Sequence, residues 1–477
     1  MPNSRKIGLV LGPLFFITIL LLPDLLPGKE NANGVIAAAL WMVTWWITEA
    51  VSISVTALLP LLLFPLLKIM PIADVGANYG SPIIFLFFGG FVLALALEKV
   101  NLHKRIALNI IRITGTTPDR VVLGFMIATA ALSMWISNTA STVVMLPIAM
   151  SVISLLIYDE DGFTKSDRNF ALSVMLGIAF SANAGGIATV IGTPPNSVLI
   201  GLLENEYQIE VSFLRWMTIG LPFSLIMLTI CYLVLVKWMF PSKQLKFQAS
   251  REVIEEELQK LGPTSGKEKM VLVIFGCTVF LWIFRTVINK FIPGLGLSDT
   301  MISMLAAIAL FALPYNLRRS DFIIGWGDTT RLAWGILILF GGGLALAKGM
   351  SVSGIVDVVA STIASSDISI LLTAVLLIFL MLFMTELMSN VALVAVLAPV
   401  VAGIAIGLDI PILYLLIPVT IASSCAFMLP MATPPNAIVF ASGYVRVHEM
   451  VRAGIVLNLI SVGLLILVFQ YVIPILF

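Results

Sequence analysis

An all-α polytopic membrane protein, built as an inverted repeat, is the fold class this sequence predicts, and three observations predict it. The 477 residues are 60% hydrophobic and only 11% charged, where soluble proteins carry about 25% charged residues. Many runs, 7–26 and 456–477 among them, reach the roughly 20 apolar residues that a spanning helix needs. Three short motifs also recur in one order at nearly one spacing. The solvent for so much apolar surface is the lipid bilayer. The net charge of +1, with no basic stripe, points away from nucleic acid.

Membrane-entering segments are expected near 7–27, 33–50, 52–68, 81–98, 120–157, 170–202, 212–236, 270–291, 298–314, 332–350, 366–407, 410–443 and 453–476. The first follows a basic start, "MPNSRKIG", but no small-residue cleavage site follows it. It therefore reads as a spanning helix rather than a signal peptide. Segments 120–157 and 366–407 are too long for one crossing. Each carries a Ser-Asn step near its middle, Ser137-Asn138 and Ser389-Asn390. A re-entrant hairpin with a non-helical tip fits both, since irregular backbone at that depth survives only when buried in protein or lining a cavity.

With two hairpins, eleven segments span. A cytoplasmic N-terminus then places 21 of the 27 Lys and Arg residues inside, in agreement with the positive-inside rule. The longest polar insert, Pro241–Lys269, has helical spacing over 251–261 and reads as a solvated connection between two halves. Three cysteines, one of them Cys425 in an apolar run, suit buried small hydrophobes rather than a disulfide framework.

The halves repeat. Gly89-Gly90 and Gly341-Gly342 stand 252 positions apart, as do Ser137-Asn138 and Ser389-Asn390. "GTPPN" at 192–196 matches "ATPPN" at 432–436, 240 positions on. The two hairpins enter from opposite sides, so the repeat is inverted, a design shared by many secondary transporters.

Adjacent prolines in Thr193-Pro194-Pro195-Asn196 and Thr433-Pro434-Pro435-Asn436 remove two donors and break a helix. A break exposes carbonyls that suit a cation and a fresh N-terminus that suits an anion. Ser and Asn at the tips add oxygens and amide donors, and all-oxygen cages suit small hard cations. No motif contains Lys or Arg. An anion there needs bound cations for its counter-charge, which is a mechanism for cation-coupled anion uptake. Two related tips suit a substrate with two anionic ends. Glu386, three residues before Ser389, is an intramembrane carboxylate and so a functional candidate; the bland alternative is a partner for a hydroxyl or a helix end. Glu49 is similar. His103 and His448 fall in expected inner loops. No H-E-x-x-H or G-x-S-x-G occurs, so an intramembrane hydrolase is disfavoured. A channel would need a continuous pore, whereas tips at the midplane suit alternating access.

The set "WWITEAVSISVTALLP", "SNTASTVVMLP", "GTPPN", "MSNVALVAVLAP" and "ATPPN" resembles the divalent-anion:sodium symporter family, the INDY-type dicarboxylate transporters. The resemblance runs nearly end to end. It implies a homodimer in the bacterial inner membrane, an elevator motion, and Na+ as the coupling ion. It also implies scaffold helices in 1–119 and 270–365, hairpin and transport helices in 120–240 and 366–477, and a cytoplasmic connection at 241–269. The first sodium site would use Ser133, Ser137, Asn138 and Gly192, and the second Thr385, Met388, Asn390 and Ala432. Substrate carboxylates would meet Ser137, Asn138, Thr139, Ser389, Asn390, Thr433 and Pro434. The expected function is not enzymatic. It is sodium-coupled import of C4-dicarboxylates such as succinate, malate or fumarate; the alternative is a sodium-independent dicarboxylate exchanger, or a carrier of citrate or sulfate. Two positions depart from the family pattern. Val391 stands where many bacterial members have Thr and has no hydroxyl to donate, and Ser52 stands where Pro is frequent.

Overall fold

The computed structural model describes residues 3–29, 31–115, 117–157, 164–242, 249–316, 321–366 and 368–476. Helices dominate, and seven of those described are long and apolar enough to cross a membrane unaided. Helices α1 (Asn3–Leu21) and α2 (Ala32–Thr48) form a hairpin. The expected single segment at 52–68 is instead two short helices, α3 (Ile53–Thr56) and α4 (Leu59–Leu66), followed by α5 (Ile72–Tyr79). Pro60, which sits at the start of α4, lacks the N–H that a continuous helix requires.

From here the repeat governs the order. In the first copy α6 (Pro82–Lys99) leads to α7 (Leu102–Thr114), the hairpin α8 (Pro118–Ser133) and α9 (Asn138–Ile157), and the broken pair α10 (Lys165–Gly186) and α11 (Pro194–Tyr207). It ends with α12 (Phe213–Tyr232), which runs into a π-helical stretch, Leu233–Met239. A polar helix, α13 (Ala249–Leu261), precedes α14 (Gly266–Phe291) and α15 (Asp299–Ala312). Two short antiparallel strands, β1 (Pro314–Asn316) and β2 (Asp321–Phe322), and a 3-10 turn follow.

The second copy repeats the scheme. It comprises α16 (Trp334–Val352), α17 (Ile355–Ala364), the hairpin α18 (Ile370–Met384) and α19 (Asn390–Gly407), and the broken pair α20 (Ile412–Ser423) and α21 (Pro434–Ala441). Helix α22 (Val447–Leu467) again ends in a π-helical stretch, Val468–Val472, before α23 (Ile473–Leu476). Pro147 and Pro399 sit inside α9 and α19 at matching positions, so the duplication extends beyond the three motifs.

Helices α7 and α17 were not expected from hydropathy. In α7 one face is buried (Leu102, Ala107, Leu108, Ile111) while Lys104, Arg105 and Arg112 occupy the rest. The five basic residues of 99–120 made this stretch read as a loop, but their spacing is that of an amphipathic helix. His103 lies on this helix rather than in a loop, buried, with Nδ1 2.9 Å from the Leu97 carbonyl. Burial pushes its pKa down, so it is neutral at pH 7. His448 opens α22.

The paired glycines permit close helix contact. A Cβ at Gly89 would lie 2.6 Å from the Ser303 carbonyl carbon on α15, and one at Gly341 would strike the Tyr79 ring. Two apolar cores result. The larger joins both hairpins and both broken helices; the smaller gathers α2, α4, α16 and α17.

Ion pairs check the expected sidedness. Arg5–Glu49, Lys99–Asp328, Arg331–Glu98, Lys104–Glu257, Arg105–Glu268, Lys237–Asp119 and Arg168–Glu449 join residues expected inside. Lys29–Asp357, Arg285–Glu210, Arg285–Asp299 and Lys348–Glu206 join residues expected outside. None of these pairs crosses from one expected side to the other. Glu49 is thereby an exposed partner of Arg5.

Candidate cation and substrate site

The first tip is the non-helical run between α8 and α9. The Ser133 hydroxyl, at the end of α8, lies within hydrogen-bond reach of Asn138 Oδ1 and the Ala182 carbonyl (2.8 Å), and its single proton serves one of them at a time. Ser137 Oγ accepts from Ala140 N at 3.1 Å and so caps α9. Ser137 and Thr139 are exposed, and Asn138 is half-buried.

The broken pair α10/α11 brings more oxygens to this tip. A Cβ added to Gly186 would lie 2.6 Å from Asn138 Oδ1 and 3.2 Å from the Gly192 carbonyl. One added to Gly192 would lie 2.5 Å from the Gly186 carbonyl and 3.0 Å from the Ser133 carbonyl. Four oxygens therefore surround a space that only glycine leaves open. These oxygens stand 2.5–3.2 Å from the two positions a Cβ would take, the Asn138 amide nitrogen lies 3.1 Å from the first of them, and oxygen donors of this kind suit a small hard cation. Of the four residues that the family resemblance implies, the structure brings Ser133, Asn138 and Gly192 together and adds Gly186, while Ser137 Oγ is turned to the α9 cap.

The second tip copies the first. The Thr385 hydroxyl lies 2.6 Å from Asn390 Oδ1 and 2.7 Å from the Ser423 carbonyl, and its single proton serves one of them at a time. Met388 and Ala432 are both buried, Met388 in the tip and Ala432 just before the Thr433 cap of α21. Ser389 and Asn390 are half-buried, Thr433 is buried, and Pro434 is exposed at the first position of α21. Val391 is half-buried and packs against both apolar cores.

The unwound segments are held differently in the two copies. In the first, Asn196 Nδ2 donates to the carbonyls of Thr189 (2.8 Å), Gly186 (3.3 Å) and Ile187 (3.4 Å), and Trp216 Nε1 donates to Ile187 O at 2.9 Å. In the second, Asn436 Nδ2 donates to Leu429 O (3.0 Å) and Ala426 O (3.2 Å). Glu386 then takes the freed donors. Its Oε1 accepts from Phe427 N (2.9 Å), Met428 N (3.0 Å) and Asn458 Nδ2 (2.7 Å), and its Oε2 from Leu429 N (3.0 Å). Four donors satisfy a carboxylate that is only 3% exposed, which burial without partners would not allow. Of the two readings of Glu386, the structure carries the partner to a broken helix end.

Helices α9, α11, α19 and α21 all begin at the motifs, so their positive ends gather there. α9 packs against α21, and α19 against α11; each hairpin thus meets the second half-helix of the other copy. Sequence reasoning gave no role to Asn183, Asn196, Asn436 or Asn458. The asparagine closing each TPPN motif was the available signal, because a buried amide beside a break has carbonyls to satisfy.

The chain matches the family described as the sodium:sulfate symporter transmembrane region over residues 4–477. It is 39% identical over 478 residues to the sodium-dependent dicarboxylate transporter SdcS of Staphylococcus saprophyticus, covering 99% of this chain and 92% of that protein. It is 40% identical over 479 residues to the SdcS of Staphylococcus aureus strain USA300, with the same coverage. Among solved structures, the fold resembles the YdaH transporter of Alcanivorax borkumensis (TM-score 0.58, 12% identity, 99% of both chains). It also resembles MtrF of Neisseria gonorrhoeae (TM-score 0.51, 13% identity, 98% of this chain and 94% of that one).

Proposed function

The chain belongs to the sodium:sulfate symporter family, and from that premise we propose that it is a secondary transporter coupling inward sodium flow to import of C4-dicarboxylates such as succinate, malate or fumarate. The observation that carries this reading is the duplicated oxygen cluster, Ser133–Asn138–Ala182 O and Thr385–Asn390–Ser423 O. Each cluster is rich in acceptors and free of basic side chains. Sodium is the cargo that would satisfy them, held by Ser133, Ser137, Asn138 and Gly192 at one tip and by Thr385, Met388, Asn390 and Ala432 at the other.

The dicarboxylate would then meet Ser137, Asn138, Thr139, Ser389, Asn390, Thr433 and Pro434. Helix N-termini and hydroxyls donate to its two ends. Bound sodium supplies the counter-charge and holds the tips in shape, so that anion affinity depends on the ion. Each sodium moved in excess of substrate charge gains about 2.3 kcal/mol per 100 mV. The relatives at 39–40% identity are named for dicarboxylates, which favours a diacid over sulfate for this chain.

We extend the proposal to a homodimer in the bacterial inner membrane with a cytoplasmic N-terminus. In it, helices within 120–240 and 366–477 travel against a scaffold of 1–119 and 270–365. The same-side ion pairs support the grouping of the loops on two faces, and the excess of Lys and Arg on one of them supports its being the cytoplasmic face.

Thermal unfolding of the purified protein tests the ion coupling. Sodium, but not potassium, should raise the midpoint, and succinate should raise it further only in sodium. Stabilisation by succinate in potassium alone would favour the exchanger.

A further inference from the structure

Asn183 follows Ala182, whose carbonyl accepts from Ser133 in the first oxygen cluster. Its side chain, however, turns into the other copy. Nδ2 lies 3.1 Å from the Ala426 carbonyl, 3.1 Å from Thr433 Oγ1 and 3.4 Å from Asn436 Oδ1. Two of these three atoms can only accept, so chemistry fixes which end of the amide faces them. Asn183 is 1% exposed.

A threonine hydroxyl has one proton and two acceptor lone pairs. Thr433 Oγ1 accepts from Asn183 Nδ2 and also from Asn436 N at 3.4 Å. Both lone pairs are engaged, and the proton is left to be given outward. Thr193, the matching residue of the first copy, makes no side-chain cap bond. Asn196 and Asn436 both turn to carbonyls of their own copies, so what differs is the amide that Asn183 brings to Thr433. The arrangement is therefore particular to the second copy and fed from the first.

We infer that Asn183 is a positioning residue: it fixes Thr433 as a hydroxyl donor to a substrate carboxylate, and so ties the first cation cluster to the second anion contact. The inference rests on the proposed reading of Thr433 as a substrate contact. A carboxylate acceptor is the chemistry such a hydroxyl selects. Because Asn183 sits one residue from a carbonyl bonded to the first tip, a change in that tip reaches Thr433 through one side chain.

A double-mutant cycle tests this, with succinate KM and the sodium concentration for half-maximal uptake measured in proteoliposomes. Thr433→Val should raise succinate KM about tenfold or more, the size of a lost hydrogen bond to a charged group. Asn183→Ala should raise both succinate KM and half-maximal sodium several-fold. Asn183→Leu, close in volume and without a donor, should do the same and serves if the alanine variant folds poorly. Each Asn183 variant combined with Thr433→Val should have the succinate KM of Thr433→Val alone. Thr129→Ala, which removes a buried hydroxyl on α8 that donates to Phe125 O, should lower the melting temperature without moving KM. Multiplicative effects in the double variants, or an unchanged KM in both Asn183 variants beside a raised one in Thr433→Val, would overturn the role given to Asn183. An unchanged KM in Thr433→Val would overturn the substrate reading beneath it.

Discussion

Gly192→Ala is the substitution on which the first cation cluster depends most sharply. Gly192 has ordinary backbone angles, so alanine brings no backbone strain there. The added methyl, however, would sit 2.5 Å from the Gly186 carbonyl and 3.0 Å from the Ser133 carbonyl. Both neighbours are backbone and cannot swing aside as a side chain would. The methyl occupies the space where a cation would touch these oxygens, and it must also push them apart. Overpacking of this kind costs about 1–3 kcal/mol, which corresponds to about a five- to hundredfold rise in the sodium needed for half-maximal uptake. A sodium titration of labelled succinate uptake in proteoliposomes reads that shift. Gly276→Ala, on the outer surface of α14 with nothing within 4 Å of the added carbon, serves as the control and should behave as wild type. Unchanged half-maximal sodium and unchanged maximal rate in Gly192→Ala would refute the placement of the ion.

Asn138→Ala and Asn390→Ala each remove the side-chain oxygen shared by a tip, and each should cut uptake at least about tenfold while the protein elutes as a folded species on size exclusion. Full activity in either would dismiss that residue as a site member. Val391→Thr should leave succinate KM within about threefold and lower thermal stability by about 1–2 kcal/mol, because the side chain packs on apolar cores and a new hydroxyl there lacks a partner; a large KM gain would place the position in the substrate site instead. Lys104 beside Glu257 and Lys99 beside Asp328 hold both carboxyls below the usual range. Their folded values lie under the unfolded ones, so this stabilisation is present at neutral pH and fades as pH falls below about 4. Glu257→Gln should flatten that acid-side loss of melting temperature by an amount worth under about 1 kcal/mol.

The hairpins and breaks were legible because their signals are chemical. Ser137-Asn138 and Ser389-Asn390 have no reason to lie in hydrocarbon unless something satisfies them, and Pro194-Pro195 and Pro434-Pro435 cannot continue a helix. The repeat then joined them into one site. Helix α7 escaped a hydropathy reading because its basic face averages out its apolar one, and α17 because its apolar run is too short to read as a crossing. The 52–68 segment looked continuous because Leu and Phe surround Pro60 and Pro65, hiding a break inside an apolar run. Glu386 was visible as a buried charge, but its four donors come from Phe427, Met428, Leu429 and Asn458, distant in sequence and assembled only by folding. Asn183 gave still less warning: a single amide in "AFSANAGG" does not announce that it reaches across to the other copy.

The central claim, that sodium flow drives dicarboxylate import, is tested most directly by labelled succinate uptake into proteoliposomes under an inward sodium gradient, with potassium replacing sodium in the control. The account predicts saturable uptake that requires sodium and concentrates succinate inside the vesicles. Uptake that ignores sodium and appears only with dicarboxylate preloaded inside would contradict it and identify an exchanger.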